Sequence, residues 1–293
     1  MPTIAYLGPE HTNTHLAALS RFGKRSDYVH QPTVDDIFSA VERRKTDFGV
    51  VPIENSLEGA VTHTLDRFID FIDTPVKIHG EIEEPIQHFL IVRKGMTAQD
   101  IRIVYSHPQA LAQCNAWLER HLPRVNRLET SSTAEAVERV ADDRAGALGN
   151  HRPEQRAAIA REELADRYGL QATAIPQTHE NKTRFLVIGL GMPPKGRRNK
   201  TSILFALKDR PGALYDALAP FKREKINLTK IESRPSKKRA WEYFFFIDIE
   251  GHESEPRIGR ALDAVKRNSD VFQILGSYPA VTSSRPKSKA AKS

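Results

Sequence analysis

The chain has 293 residues, more than one hydrophobic core usually holds, so two or three domains are expected. A single Cys excludes a disulfide framework, no Cys/His cluster has metal-ligand spacing, and the absence of a long apolar run or a basic-then-apolar leader points to a cytoplasmic protein with no membrane partner. The formal charge of +7 is concentrated in Lys195, Arg197, Arg198 and Lys200 and in Arg285, Lys287, Lys289 and Lys292; without them the body is near neutral, which argues against nucleic-acid binding.

In chain order, TIAYLG predicts a strand leading to a helix over NTHLAALSRFG. VDDIFSAVERRK follows Thr33, with Asp36 three residues on as a partial capping box. FGVVPI predicts a strand running into a helix over EGAVTHTLDRFIDF. Two consecutive extended segments, Ile78 to Glu83 and His88 to Val92, then interrupt the alternation and read as a crossing between two lobes. IRIVYSH leads to a helix over PQALAQCNAWLERHL, and STAEAVERVADD follows another short strand. Between Asp142 and Leu170 two apolar runs compete for the next strand. NKTRFLVIG, 181–189, reads as a buried strand that returns the chain to the first lobe and sets Thr183 at the hinge side of a cleft. The pattern is α/β with mostly parallel strands, in which ligands bind beyond the strands' carboxyl ends, against helix N-termini.

The Gly, Pro and cations of GMPPKGRRNK have linker composition. The expected division is 1–191, a linker over 192–200, a second domain over 201–280, and a basic tail over 281–293 too polar to bury and expected to be disordered. The second domain reads βαββαβ, the ferredoxin-like order. In its third strand Tyr243, Phe245, Ile247 and Ile249 share one face and Phe244 and Phe246 the other. Two helices cover one face only, so the second aromatic pair is expected to meet a domain or a subunit, and it offers subunits a reason to associate.

Polar residues gather at the strand ends. Glu54, Asn55 and Ser56 follow an apolar strand, where a ligand would approach or where Asn55 or Ser56 caps the next helix. Ser106, His107 and Pro108 stop a strand and start a helix, and His107 by itself reads equally as a surface histidine. Cys114 reads as a small buried apolar residue. Thr183 and Arg184 put a hydroxyl and a fixed cation at the mouth of a buried strand, though Thr is common in strands and a terminal Arg often faces solvent.

Taken in order, GPEHTNTHLAA, VPIENSLEGAV, SHPQALAQC, STAEAV, YGL and NKTRFLVIG closely resemble the prephenate dehydratase family, and GALYDAL, ESRP and WEYFFFIDIEGH resemble its ACT regulatory domain. The resemblance implies a catalytic domain similar to two-lobed periplasmic binding proteins, a ferredoxin-like ACT domain and a homodimer or homotetramer. It implies conversion of prephenate to phenylpyruvate, water and carbon dioxide, without metal or other cofactor, under feedback by phenylalanine. The family's catalytic threonine maps to Thr183, with Glu54 as the rival proton donor. Thr12, Asn55, Ser56, Ser106, His107, Ser132, Arg184 and Phe185 are the expected substrate contacts, with Arg184 either on a carboxylate or paired with an acid. The effector is expected at the helix start Gly212, Ala213 and Leu214 and at Glu232, Ser233, Arg234 and Pro235. One departure is His11, where the family's first loop usually has glycine. The pattern begins at residue 3, so a chorismate mutase domain is not expected. Arogenate dehydratase, and a non-catalytic two-lobed binding protein with an amino-acid sensor, remain as alternatives.

Overall fold

The computed structural model describes residues 1–70, 74–142, 155–177, 180–236 and 243–281. Its first elements are β1 (Thr3–Leu7), α1 (Asn13–Phe22), β2 (Asp27–Gln31), α2 (Val34–Glu42), β3 (Phe48–Asn55), β4 (Gly59–Ala60), α3 (Thr62–Asp70) and β5 (Val76–Pro85). Next come β6 (Phe89–Val92), β7 (Ile103–Ser106), α4 (Pro108–Gln113), α5 (Asn115–His121), β8 (Asn126–Glu129), α6 (Thr133–Ala141), β9 (Arg156–Ala160), α7 (Glu162–Arg167) and β10 (Gln171–Ala174). The remainder is β11 (Lys182–Leu190), β12 (Asn199–Ala206), α8 (Ala213–Arg223), β13 (Leu228–Pro235), β14 (Tyr243–Glu250), α9 (Pro256–Arg267) and β15 (Val271–Pro279).

Side-chain caps set several helix starts. Thr12 Oγ1 accepts from the His15 N–H at the start of α1, and Ser132 Oγ accepts from the Glu135 N–H at 3.0 Å at the start of α6. Thr33 and Asp36 bond reciprocally at 3.1 and 2.6 Å ahead of α2. Two expected helices differ. The stretch after Asn55 turns back as β4, pairing Glu54 with Ala60, because Asn55 Oδ1 draws in the N–H groups of Leu57 and Glu58; α3 starts only at Thr62. PQALAQCNAWLERHL breaks at Cys114 into α4 and α5. The strand between Asp142 and Leu170 is Arg156–Ala160; residues 143–154, like the tail from 282 onward, lie outside the described residues.

The sheets give the two-lobed α/β architecture with its C-terminal ACT fold. The first runs β2-β1-β3-β11-β5 with β4 on β3, so the strand carrying Thr183 lies beside the one carrying Asn55. The second runs β10-β6-β9-β7-β8. It is mixed: β7 is parallel to β8 and β9, while β6 is antiparallel to β9 and β10, since β6 arrives directly from the crossing and not through a βαβ unit. The third, β13-β14-β12-β15, is antiparallel throughout. Its core of Ile203, Phe205, Phe221, Ile247, Ile258 and Leu262 lies against α8 and α9. No helix among the described residues is long and apolar enough to cross a membrane.

The chain divides into two compact units, one of Met1–Ile37, Val50–Val61 and Glu84–Phe185, the other of Phe38–Gly49, Thr62–Glu83 and everything from Leu186 onward. The division does not follow the linker composition at 192–200. Within the second unit, β5 lies against the third sheet: a Cβ on Gly276 would fall 2.3 Å from the Ile78 carbonyl oxygen, and Lys77 Nζ donates to the Ile274 carbonyl at 3.1 Å. Phe244 and Phe246 are only 7% and 4% exposed in the isolated chain. Of the two expected partners, a domain or a subunit, the fold of one chain already covers the pair, so no subunit is required to bury it. Lys200, read from the sequence as a linker cation, reaches both carboxylate oxygens of Glu81 at 2.8 and 2.7 Å, with the two side chains 13% and 2% exposed.

A buried ion pair is costly to break from one side, since the remaining charge keeps its desolvation penalty without a partner. Lys200→Met is therefore expected to destabilise the protein by about 3 to 5 kcal/mol, and Glu81→Leu/Lys200→Met to recover most of that loss. Urea unfolding of the three proteins checks this, and a double variant as unstable as the single one would refute it.

Burial also lowers the affinity of His15, His79 and His88 for a proton below that of an ordinary histidine near 6.5. His79 is held by the Gly191 carbonyl at 2.8 Å. The unfolded chain binds these protons more readily, so the stability they carry is complete above about 6.5 and is lost as pH falls below it. Melting temperatures are expected to drop between pH 7 and 5.5, and to drop less in His79→Gln; identical profiles for the two proteins would contradict the assignment.

Candidate active site

Alternation along β11 sorts its opening residues. Thr183 and Phe185 line a cavity of about 360 Å³ in the first unit. Arg184 does not line it; its Nη2 donates to Glu54 Oε2 at 2.7 Å. Three helix starts meet the same cavity: Thr12, Asn13 and Thr14 from α1, Ser131, Ser132 and Thr133 from α6, and His107 with Gln109 from α4. Among the described residues, neither a basic Lys or Arg nor an acidic Asp or Glu side chain lines it. The N-termini of α1 and α6, where backbone N–H groups carry partial positive charge, supply part of its lining.

Three sequence expectations are corrected. Glu54 is held by a guanidinium and lies outside the cavity, so it is not placed to donate a proton there; the same pair gives Arg184 the second of its two expected roles, pairing with an acid. Ser56 lies outside too: its hydroxyl donates to the Glu180 carbonyl and accepts from the Lys182 N–H at 3.1 and 2.9 Å, fastening the turn to β11. Ser106 is fully buried and donates to the Ile159 carbonyl at 2.6 Å, bonding β7 to β9; the cap of α4 is His107. His107 Nδ1 accepts from the Gln109 N–H at 3.3 Å, which leaves Nε2 as the donor of the neutral ring. His11 stands at φ 63°, a backbone conformation that suits glycine, and does not line the cavity. Burial raises the Cys114 thiol to about 12, consistent with an inert core residue.

Around Thr183 the polar groups form a chain with a fixed direction. Asn55 Oδ1 accepts from two backbone N–H groups, Leu57 at 2.9 Å and Glu58 at 3.3 Å, so its Nδ2 faces the other way. That Nδ2 donates to Thr183 Oγ1 at 3.0 Å and to Asn181 Oδ1 at 2.9 Å. Asn181 Nδ2 donates to Gln113 Oε1 at 3.0 Å, which also takes the His88 Nε2 hydrogen at 2.7 Å. Thr183 uses its oxygen as the acceptor, so its own hydrogen is free among the described residues to meet a ligand in the cavity. The sequence reading passed over His88, Gln109, Gln113 and Asn181. The i, i+4 spacing of Gln109 and Gln113 on one helix was the available signal. Among the described residues no group of three His, Cys, Asp or Glu side chains is placed to hold a metal ion.

In the third sheet, β13 is an edge strand with Ser233 and Pro235 exposed. Gly212 precedes α8 at φ 81°, which favours glycine, but the Ala213 N–H donates to the Arg210 carbonyl at 3.2 Å, so it is not free as expected. Arg234 is ion-paired with Asp66 of α3 at 3.0 and 3.3 Å, and both side chains are largely buried.

The family model for prephenate dehydratase matches residues 4–192, and that for the ACT domain matches residues 201–267. The chain is 47% identical over 280 residues to the bifunctional chorismate mutase/prephenate dehydratase of Aquifex aeolicus, covering 94% of this chain and 73% of that protein. It is 41% identical over 258 residues to the prephenate dehydratase of Methanocaldococcus jannaschii, covering 86% and 87% of the two. The crystal structure of the Arthrobacter aurescens prephenate dehydratase in complex with L-Phe superimposes with a TM-score of 0.83 at 32% identity, over 94% of this chain and 89% of that one. With both family models matched in this order along its length, this chain belongs to the prephenate dehydratase family.

Proposed function

We propose that this chain converts prephenate to phenylpyruvate, water and carbon dioxide in phenylalanine biosynthesis, in the cytoplasm, under feedback by phenylalanine. The observation that carries the reading is the Thr183 hydroxyl, held on its oxygen by Asn55 Nδ2 at 3.0 Å with its hydrogen free toward the cavity. The reaction breaks two bonds. As the ring carboxylate leaves as carbon dioxide, its electron pair moves into the ring and expels the opposite hydroxyl, which takes up a proton and departs as water. Aromatisation drives both losses, so the protein has to hold a dianion and stabilise charge developing on one oxygen.

The site supplies both. N–H groups at the starts of α1 and α6, with the hydroxyl of Ser132, face the carboxylates in place of an arginine, while the Thr12 hydroxyl donates to the Leu7 carbonyl at 2.8 Å and holds the first loop. The Thr183 hydroxyl bonds to the departing oxygen; accepting from Asn55 polarises it and makes it the better donor. A threonine is a poor free acid, so its part is a hydrogen bond that strengthens in the transition state, with the proton supplied by water. Phe185 packs against the ring. The acid-free lining favours prephenate over arogenate, whose ammonium group would call for a carboxylate.

For the domains, we take 1–191 as catalytic, 192–200 as the link and 201–280 as the ACT domain. Phenylalanine is placed at Gly212 to Leu214 and Glu232 to Pro235, in a homodimer or homotetramer. The Arg234–Asp66 pair supports regulation, because it joins the proposed effector strand to α3, which the chain enters after the Asn55 turn and β4.

Thr183→Ala is expected to lower kcat by on the order of 10² or more with KM within a few-fold, since it removes an interaction made mainly in the transition state. Phenylpyruvate formation at saturating prephenate measures this, and near-normal turnover would remove Thr183 from the chemistry. Asp66→Asn is expected to keep uninhibited turnover while weakening inhibition by phenylalanine, within the roughly 5- to 150-fold range of allosteric couplings. Inhibition curves for the two proteins that overlay would show that the ion pair carries no signal.

A further inference from the structure

Glu58 ends the hydrogen-bond chain that begins at Thr183. Its carboxylate accepts from Gln113 Nε2 at 2.6 Å and from Gln109 Nε2. Its own backbone N–H donates to Asn55 Oδ1 at 3.3 Å, so one residue meets the chain at both ends. An ionised carboxylate only accepts. Gln113 must therefore turn its NH2 to Glu58 and its oxygen inward, where it receives Asn181 Nδ2 and His88 Nε2. Asn181 must then present its oxygen to Asn55 Nδ2, and Asn55 its second hydrogen to Thr183. Each amide has a single orientation that satisfies its neighbours: the backbone N–H groups select that of Asn55, and the Glu58 carboxylate selects that of Gln113 and, through it, of Asn181.

Resting on the dehydratase reading above, we propose that Glu58 is the positioning residue for the reaction. By fixing the direction of the Gln113 and Asn181 amides, it keeps an oxygen of Asn181 facing the Asn55 Nδ2 that the backbone has aimed at Thr183, so that this nitrogen stays on the Thr183 oxygen and the Thr183 hydrogen stays aimed at the substrate. The residue touches neither substrate nor reacting atoms. The chain cannot simply invert when Glu58 is changed, because Asn55 is pinned at its other end by the two backbone N–H groups. A donor placed at position 58 turns Gln113 about, and an NH2 then meets an NH2 in the buried stretch around Asn181, which costs the bond that holds Thr183.

Glu58→Lys and Glu58→Gln in the full chain test the proposal. Glu58 is exposed, so both variants are expected to fold; Glu58→Gln should leave the melting temperature unchanged, and Glu58→Lys should lower it modestly through the mismatched buried amides. Lysine supplies only donors and should lower kcat by on the order of 10-fold or more while KM stays level or falls, since the added cation attracts a dianion. Glutamine still offers an oxygen to Gln113 and should keep kcat within about 3-fold. In a Thr183→Ala background Glu58→Lys should cost nothing further, because both changes act on one interaction. A readout independent of turnover is the His88 ring: nitrogen NMR should show the Nε2–H tautomer in the parent protein and the Nδ1–H tautomer in Glu58→Lys. Unchanged kcat in Glu58→Lys, an additive loss with Thr183→Ala, or a His88 tautomer indifferent to residue 58 each overturns the proposal. Failure of the parent protein to turn over prephenate would instead overturn the functional reading, leaving the tautomer switch to decide the direction of the chain.

Discussion

The site depends on one side-chain amide. Asn55 ends β3 with its oxygen folded back onto the N–H groups of Leu57 and Glu58, and this single turn does two things. It sends the chain back as β4, so that α3 begins well after the strand end, and it forces the NH2 of Asn55 toward β11. Thr183 and Asn181 then share the two hydrogens of one nitrogen. A side chain with one polar atom, or with an acceptor only, could not hold both the turn and the threonine. Buried amides with every position filled have one orientation, and that rigidity is what a transition-state hydrogen bond requires.

The electrostatics follow from where the charges are kept. A dianionic substrate would invite arginine, yet the nearby Arg184 spends itself on Glu54 away from the cavity. The lining instead uses helix starts, whose N–H groups are fixed by the backbone and need no side-chain ordering. Such a site holds negative charge without neutralising it through a movable ion pair. Among the described residues the cavity lining thus stays free of acids that would raise the energy of a bound carboxylate.

The second unit shows why the regulatory fold is not a loosely tethered addition. Its sheet buries Phe244 and Phe246 within the same chain, Gly276 lets β15 approach the backbone at Ile78, and Lys200 reaches the buried carboxylate of Glu81. Arg234, on β13, is tied to Asp66 of α3 rather than left in solvent. An event at β13 therefore reaches α3 through an ion pair already in place. Two states of that pair would give phenylalanine the differential contacts that any allosteric effect demands.

Much of this was legible in the residues themselves. Periodicity, turn chemistry and caps are local, so the α/β order, the crossing near Pro85, the βαββαβ domain and the starts of α1, α2 and α6 follow from neighbours within a few positions. The motif order likewise named the family before any coordinate was known, and it singled out Asn55, Thr183, Ser132 and His107. What the tertiary structure decided were the partners at long range. Whether Glu54 faces a substrate or an arginine, whether Ser106 meets a ligand or a neighbouring strand, and which way four amides point all depend on strands and helices distant in sequence. No local rule fixes such pairings, because a hydroxyl or carboxylate at a strand end satisfies its hydrogen bonds equally well with a ligand, with water or with whichever backbone the fold brings beside it.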